Sequence, residues 1–277
     1  MQACAGTPWA GVVDPPVPGR VAKPRSIGLT MVLDKGLGLQ ETRDWLDVAA
    51  AHVDLVKLTF GTSACYRTDR LQGKLHDIRG TGVDTCPGGT LLEVAVLQGR
   101  LERYLERAAN LGFTVIEVSD GVAEMDPATR RRCIQRARLF GFKVTSEVGK
   151  KLAAVPPSPT ALAHQAVADL EAGAWKVIVE ARESGRGVGI FDQHGTVRWD
   201  DLEMLVALVP DLAAIWWEAP LKDQQVALLR RFGPNVNLGN VSPADVLALE
   251  ATRLGLRADT LPLSLAVEEQ APPAMGR

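Results

Sequence analysis

Polar side chains recur near the ends of otherwise apolar runs along this 277-residue chain, and their spacing points to a site. In an extended chain, residues two apart share a face. Lys57 then lies with Thr59, Glu117 with Ser119, Thr145 with Glu147, Glu180 with Arg182, and Asn235 with Asn237, most of these residues in the second half of a candidate strand. Buried charge is too costly to scatter through several strand interiors without partners or purpose, so the set reads as one charged cup. The carboxylates Glu117, Glu147 and Glu180 come from three consecutive strands and suit a hard divalent cation such as Mg²⁺. They are equally suited to ion pairs with Lys57, Lys151 and Arg182.

Lys150 and Lys151 in EVGKK, and Lys35 after Asp34, stand just past strand ends. There a lysine binds phosphate or exchanges a proton, or else forms part of a solvated loop. Backbone amides of PGGT at 87–90, with Gly88, Gly89 and Thr90 opening a helix, form a candidate phosphate cradle. ESGRGVG at 183–189 and Gly61-Thr62-Ser63 are further glycine-bearing turns, but neither is a Walker loop. Trp216-Trp217 ahead of Glu218 reads as packing. The histidines at 52, 76, 164 and 194 lack metal-ligand spacing, and Cys4, Cys65, Cys86 and Cys133 contain no CxxC pair, which argues against a structural zinc site and a disulfide scaffold alike.

These residues need strands to carry them. From Ile27 onward, β-branched or apolar runs alternate with amphipathic ones. Candidate strands are 27–34, 53–60, 82–89, 113–120, 142–149, 175–182, 212–219 and 235–240. Helix-period segments lie between them, including an unbroken one over 91–112, while the segment between the second and third strands is shorter and less regular. Asp126-Pro127 and Ser242-Pro243 read as helix starts, and Gly112, Gly141, Gly173, Gly233 and Gly255 as stops. About eight βα units fit a closed (β/α)8 TIM barrel, and a doubly wound sheet would leave the same local pattern. Polar residues at the carboxyl ends of the strands favour the barrel, where such side chains collect into a site.

With 46% hydrophobic and 23% charged residues, the chain has the composition of a globular protein. A net charge of −2 provides no field for nucleic acid or a membrane surface, so attraction for an anion must be local. The start shows no basic stretch followed by an apolar one, and a cytoplasmic protein with free thiols is expected. Residues 1–25 read as a flexible Pro-rich segment, 26–260 as the barrel and 261–277 as a tail.

Taken together, GLTMVLDKGL, VKLTFGTSA, PGGTLLEVA, LGFTVIEVSDG, GFKVTSEVGKK, VIVEARESGRGVGIFD, WEAPLKDQQ, FGPNVNLGN and LEATRLGLRADT resemble the phosphosulfolactate synthase family over about Ile27 to Thr260. The family includes bacterial members and plant heat-stress-associated relatives. The resemblance implies a TIM barrel that adds sulfite to the methylene carbon of phosphoenolpyruvate, giving (2R)-phospho-3-sulfolactate, with Mg²⁺ as cofactor. It implies Glu117, Glu147 and Glu180 as metal ligands, Lys57 and Arg182 as cationic groups for phosphate and sulfite, and Lys151 as the general acid. Lys35, Gly88, Gly89, Thr90, Ser119, Lys150 and Asn237 complete the expected substrate-binding set. A homo-oligomer is expected. Two departures stand out: Thr59 occupies a position where relatives carry a smaller residue, and Ala181 stands where they more often have glycine. Rival readings are a related barrel with another nucleophile or phosphorylated acid, and a non-catalytic stress-associated barrel.

Overall fold

The computed structural model describes residues 8–121, 123–150 and 157–261. Eight parallel strands alternate with helices around a barrel. In order they are β1 (Thr30–Asp34), α1 (Leu39–Ala49), β2 (Leu55–Leu58), α2 (Thr68–Gly80), β3 (Asp84–Cys86), α3 (Thr90–Leu97), α4 (Leu101–Leu111), β4 (Val115–Val118), α5 (Pro127–Leu139), β5 (Lys143–Val148), α6 (Pro159–Ala172), β6 (Lys176–Val179), α7 (Trp199–Leu208), β7 (Ile215–Glu218), α8 (Lys222–Phe232), β8 (Leu238–Val241) and α9 (Val246–Arg253). The sheet runs β3-β2-β1-β8-β7-β6-β5-β4. Between its two ends, Thr114 N donates to Thr85 O at 3.1 Å and Thr85 N to Thr114 Oγ1 at 2.9 Å, which closes the circle at the amino-terminal end of β3 and β4. The architecture is a (β/α)8 barrel.

Strand parity sorts the core into two. Outward residues such as Val56, Leu58, Ile116, Val118, Val144, Val177, Val179 and Trp217 pack under the helices. Inward ones, Leu29, Met31, Leu55, Cys86, Val115, Ile178 and Trp216, form a separate apolar plug in the lower barrel. Gly239 supplies the inward position of β8, because a Cβ there would lie 2.5 Å from Met31 Cε. The large Trp216 ring therefore fits opposite a residue with no side chain.

Helix α5 starts as expected, with Asp126 Oδ1 accepting from Ala128 N at 2.9 Å and Thr129 N at 3.0 Å. Gly112 and Gly173 end α4 and α6 in the left-handed conformation. The long amphipathic segment 91–112 is two helices, broken at Gly99, whose φ is 65°. Helix α2 is more regular than its composition suggests, because its buried stripe Leu71, Lys74, Leu75 and Ile78 includes a lysine. Lys74 Nζ lies 2.5 Å from Asp34 Oδ2 and donates to Leu37 O at 2.6 Å, so the interruption in the apolar period is a buried ion pair.

The Pro-rich lead-in touches the barrel over its inner part. Arg20 is buried, pairs with both carboxylate oxygens of Glu250 at 2.9 and 3.0 Å, and donates to Gly28 O at 2.8 Å. Arg25 pairs with Asp54 at 2.8 Å, and Lys23 donates to Ala50 O at 3.1 Å. Residues 20–25, expected to be flexible, thus form part of the barrel's amino-terminal face. Among the described residues, no helix is long and apolar enough to cross a membrane.

Candidate active site

At the carboxyl ends of the strands the inward positions turn from apolar to charged. Lys57 on β2 is 5% exposed, and its Nζ lies 2.8 Å from Glu117 Oε2, 3.2 Å from Glu147 Oε2 and 3.4 Å from Glu218 Oε1. Those carboxylates come from β4, β5 and β7, so one ammonium ties four strands together. Burial alone would push its pKa down. The charges of Glu117, Glu147 and Glu218 and the hydrogen bond to Glu117 outweigh this and hold it well above the usual lysine range. Lys57 is accordingly a permanent cation.

Glu180 follows β6 and is buried, its Oε1 accepting from Arg182 N at 2.5 Å. Glu218 Oε2 accepts from Ala181 N at 3.0 Å, which fixes the end of β7 against the chain leaving β6. Oxygens of Glu147, Glu180 and Glu218 lie within 4.8 Å of one another, the spacing of a site for a hard cation. Of the expected ligand trio, Glu147 and Glu180 belong to this cluster, whereas Glu117 is the nearest carboxylate to Lys57 and Glu218 takes its place. Glu218 was open to the same parity rule, since it ends its strand two residues after an inward tryptophan. The tryptophan pair drew that run into a packing role.

Support for the cup comes from behind the strands. Arg130 on α5 is buried and binds Asp169 through two nitrogens at 2.9 and 2.6 Å, Asp120 at 2.9 Å, and the Glu147 carbonyl at 2.8 Å. The end of β5 is thereby anchored to α5 and α6. Burial pushes the Asp120 carboxyl up, and Arg130 and Lys150 draw it partly back. Burial pushes the Cys86 thiol up as well, reinforced by Glu117, so this interior cysteine stays protonated.

A cavity of about 520 Å³ opens above the cluster, lined in part by Lys57, Thr59, Phe60, Gly88, Gly89, Thr90, Glu117, Glu180, Arg182 and Glu218. The PGGT turn approaches closely: a Cβ on Gly89 would lie 2.1 Å from Ser119 Oγ and 3.0 Å from Glu117 Oε1. Three non-glycine residues with left-handed backbone, Phe60, Arg182 and Asn240, sit on the rim, with φ of 58°, 60° and 56°. Asn240 is the extra residue where the β1–β8 register shifts, and its side chain donates to Arg182 O at 3.4 Å. Arg182 was expected to continue the inward face of β6. That strand ends at Val179, and Arg182 is instead exposed at the rim, with no carboxylate partner among the described residues.

Other expected residues are placed differently. Lys35 is half-exposed and pairs with Glu183 across the barrel mouth. Lys150 lies 3.3 Å from Glu124 and 3.8 Å from Asp120, beside the cup rather than in it. Ser119 Oγ donates to Glu93 at 2.6 Å. Asn237 precedes β8 at the opposite end of the barrel, where it accepts from Leu29 N at 3.0 Å and donates to Ala213 O and Ile215 O at 2.9 Å. It braces the amino-terminal face, because β8 starts at Leu238, later than its asparagine-rich run suggests. Lys151 lies outside the described residues.

Fold and site together define a TIM barrel whose carboxyl-terminal mouth holds, among the described residues, four buried glutamates clustered with Lys57. Residues 18–259 match the family described as (2R)-phospho-3-sulfolactate synthase (ComA), and the chain belongs to that family. It is 43% identical over 250 residues to the phosphosulfolactate synthase of Methanothermobacter thermautotrophicus, covering 88% of this chain and 95% of that one. Identity is 41% over 235 residues to the Methanocaldococcus jannaschii protein of that name, covering 84% and 93%. It is 37% over 248 residues to the one from Bacillus subtilis, covering 88% and 96%. Among solved structures, N-acetylneuraminate lyase from Mycoplasma synoviae superposes with a TM-score of 0.54 at 10% identity, covering 88% and 81%. The 3-hexulose-6-phosphate synthase from Salmonella typhimurium gives 0.52 at 15%, covering 88% and 100%. These two likenesses concern the barrel alone.

Proposed function

We propose that this chain is an enzyme that adds sulfite to phosphoenolpyruvate to give (2R)-phospho-3-sulfolactate. The observation that carries the reading is the convergence of Lys57, Glu117, Glu147, Glu180 and Glu218 beneath one cavity, in a chain of this family. In the reaction the sulfite sulfur forms a bond to the methylene carbon, the double-bond electrons move toward the carboxylate, and a proton then reaches the central carbon. The site must therefore hold three anionic groups and stabilise charge as it develops.

The donor chemistry fits a hard divalent cation: Glu147, Glu180 and Glu218 offer carboxylate oxygens only. Mg²⁺ held there would supply Lewis acidity for the substrate carboxylate. Lys57 keeps its proton and orients the glutamates, which fits an electrostatic role rather than proton delivery. Arg182, Gly88, Gly89 and Thr90 line the same cavity, where Arg182 and the amides of Gly89 and Thr90 are suited to phosphate or sulfite, while the Gly88 amide donates to Cys86 Sγ at 3.3 Å. Lys151 in EVGKK is the proposed general acid, with Lys35 and Lys150 as outer cations. The small anionic substrates, a homo-oligomeric assembly and a cytoplasmic setting belong to the same proposal.

The test is incubation of the purified protein with phosphoenolpyruvate, sulfite and Mg²⁺, followed by phosphorus NMR and mass spectrometry. A phosphorylated sulfonate is the expected product. Its absence across Mg²⁺, Mn²⁺ and Co²⁺ would refute the assignment.

A further inference from the structure

The ladder of the barrel is continuous except between β3 and β4, the two ends of the strand order. Hydrogen bonds between Thr85 and Thr114 close that seam at the amino-terminal end, and the Glu117 amide donates to the Cys86 thiol one step further along it. At the other end, where Glu117 must be held against Lys57, the seam is bridged by a side chain. Glu93 on α3 is 3% exposed, accepts from Ser119 Oγ at 2.6 Å and accepts from Ala123 N at 2.7 Å. Ser119 lies two residues beyond Glu117, and α3 is the helix that leaves β3 through the PGGT turn. A Cβ on Gly89 would collide with Ser119 Oγ, so turn and strand end are already in close contact at this point.

We infer that Glu93 is a positioning residue: through Ser119 it clamps the end of β4 to α3, extends the join of the barrel past the Cys86–Glu117 contact to its catalytic end, and so sets where Glu117 meets Lys57. An apolar side chain could fill the same volume without the desolvation of a carboxylate, so its charge is better explained by geometry than by stability. Ser119, whose hydroxyl is engaged by Glu93, is on this view part of the clamp and not a substrate ligand. The inference rests on the proposed sulfite addition for its kinetic arm, and on the geometry alone for its structural arm.

The experiment uses the full chain with Glu93→Gln, Ser119→Ala and Ser119→Thr. Glutamine keeps the shape, but with its one oxygen on Ala123 N it turns an NH₂ toward Ser119 Oγ and no longer accepts the serine proton, while threonine keeps the hydroxyl. Misplacing a catalytic group by about 1 Å can cost about 10²-fold, so kcat should fall roughly 10- to 100-fold in Glu93→Gln and Ser119→Ala, with KM nearly unchanged. Ser119→Thr should restore most of it. The double variant Glu93→Gln/Ser119→Ala should be little worse than the poorer single one, since both remove the same contact. Hydrogen exchange should accelerate about tenfold over residues 115–121 and stay unchanged in β6 and β7.

Unchanged kcat and unchanged exchange would overturn the inference. A raised KM with preserved kcat would also overturn it, since Ser119 would then touch substrate. So would exchange that rises evenly through every strand, which marks a merely structural residue. If the wild-type protein forms no sulfonate, the functional proposal fails by itself, and the local or global pattern of exchange decides the clamp.

Discussion

Replacing Lys57 with methionine removes the buried ammonium that faces Glu117, Glu147 and Glu218. Lys57 is 5% exposed and lies 2.8, 3.2 and 3.4 Å from three carboxylates, so the pairs are fully inside the protein. Breaking a buried pair by deleting one partner costs about 3–5 kcal/mol, whereas an exposed pair contributes about 0–1 kcal/mol. With three close pairs broken at once, the loss should lie at the upper end, about 5 kcal/mol near pH 8, against a total stability of about 5–15 kcal/mol. The folded-state pKa of Lys57 is raised above the ordinary lysine value of 10.5, so its contribution is fully present below that value and lost only as pH rises through the folded pKa. Between about pH 5 and pH 9 the wild-type contribution is therefore constant, and any narrowing of the deficit toward acid reports protons taking the place of the ammonium. Urea unfolding of both proteins across that window measures it. Lys57→Met/Glu117→Gln should recover about half of the loss, because the carboxylate charge nearest the deleted ammonium is gone. A deficit below about 1 kcal/mol, flat with pH, would refute the reasoning, since it is the signature of a solvated pair.

Three further outcomes are expected. Saturating Mg²⁺ at about 100 times its dissociation constant should stabilise the protein by about 2.7 kcal/mol, or roughly 5–10 °C in Tm. That shift should vanish with EDTA and in Glu180→Gln or Glu218→Gln but persist in Glu117→Gln; equal melting curves throughout would leave the glutamates with ion pairing alone. Lys151→Ala should lower turnover about 10²–10⁴-fold with folding intact by circular dichroism, and Lys150→Ala should cost less; a near-normal Lys151→Ala enzyme would move the proton donor elsewhere. Gly89→Ala should destabilise by about 1–3 kcal/mol in thermal unfolding and depress activity, because its methyl would displace Ser119 and Glu117; wild-type behaviour would mean the turn yields freely.

The barrel was legible because strand alternation has a period of two, and parity alone puts Lys57, Glu117 and Glu147 on the inner face. Glu218 obeys the same rule but follows two tryptophans, whose bulk suggested packing. Parity also fails at strand ends, where the backbone stops being extended: the left-handed φ of 60° at Arg182 turns the chain out of the pleat, and Asn237 lies just before β8 begins. Helix α2 was obscured because its apolar stripe contains Lys74, whose partner Asp34 is 40 residues away in sequence and 2.5 Å away in space. No local pattern announces such a pair. The Glu93–Ser119 contact is hidden for the same reason, since its two residues are 26 apart and belong to different βα units.

The left-handed conformations of Phe60, Arg182 and Asn240 give the barrel two ends that should respond differently to directed evolution. Away from glycine, each such residue costs about 1–2 kcal/mol, with asparagine the most tolerant. Strain of this kind persists where a site over-determines the backbone. A library selected only for heat resistance should therefore enrich glycine at 60 and 182, where it relieves φ but strips an aromatic wall and a cation from the cavity. Sequencing the survivors and assaying their turnover would show the exchange of catalysis for stability confined to the mouth, while substitutions on the amino-terminal face around Arg20 and Asn237 should bring no such conflict.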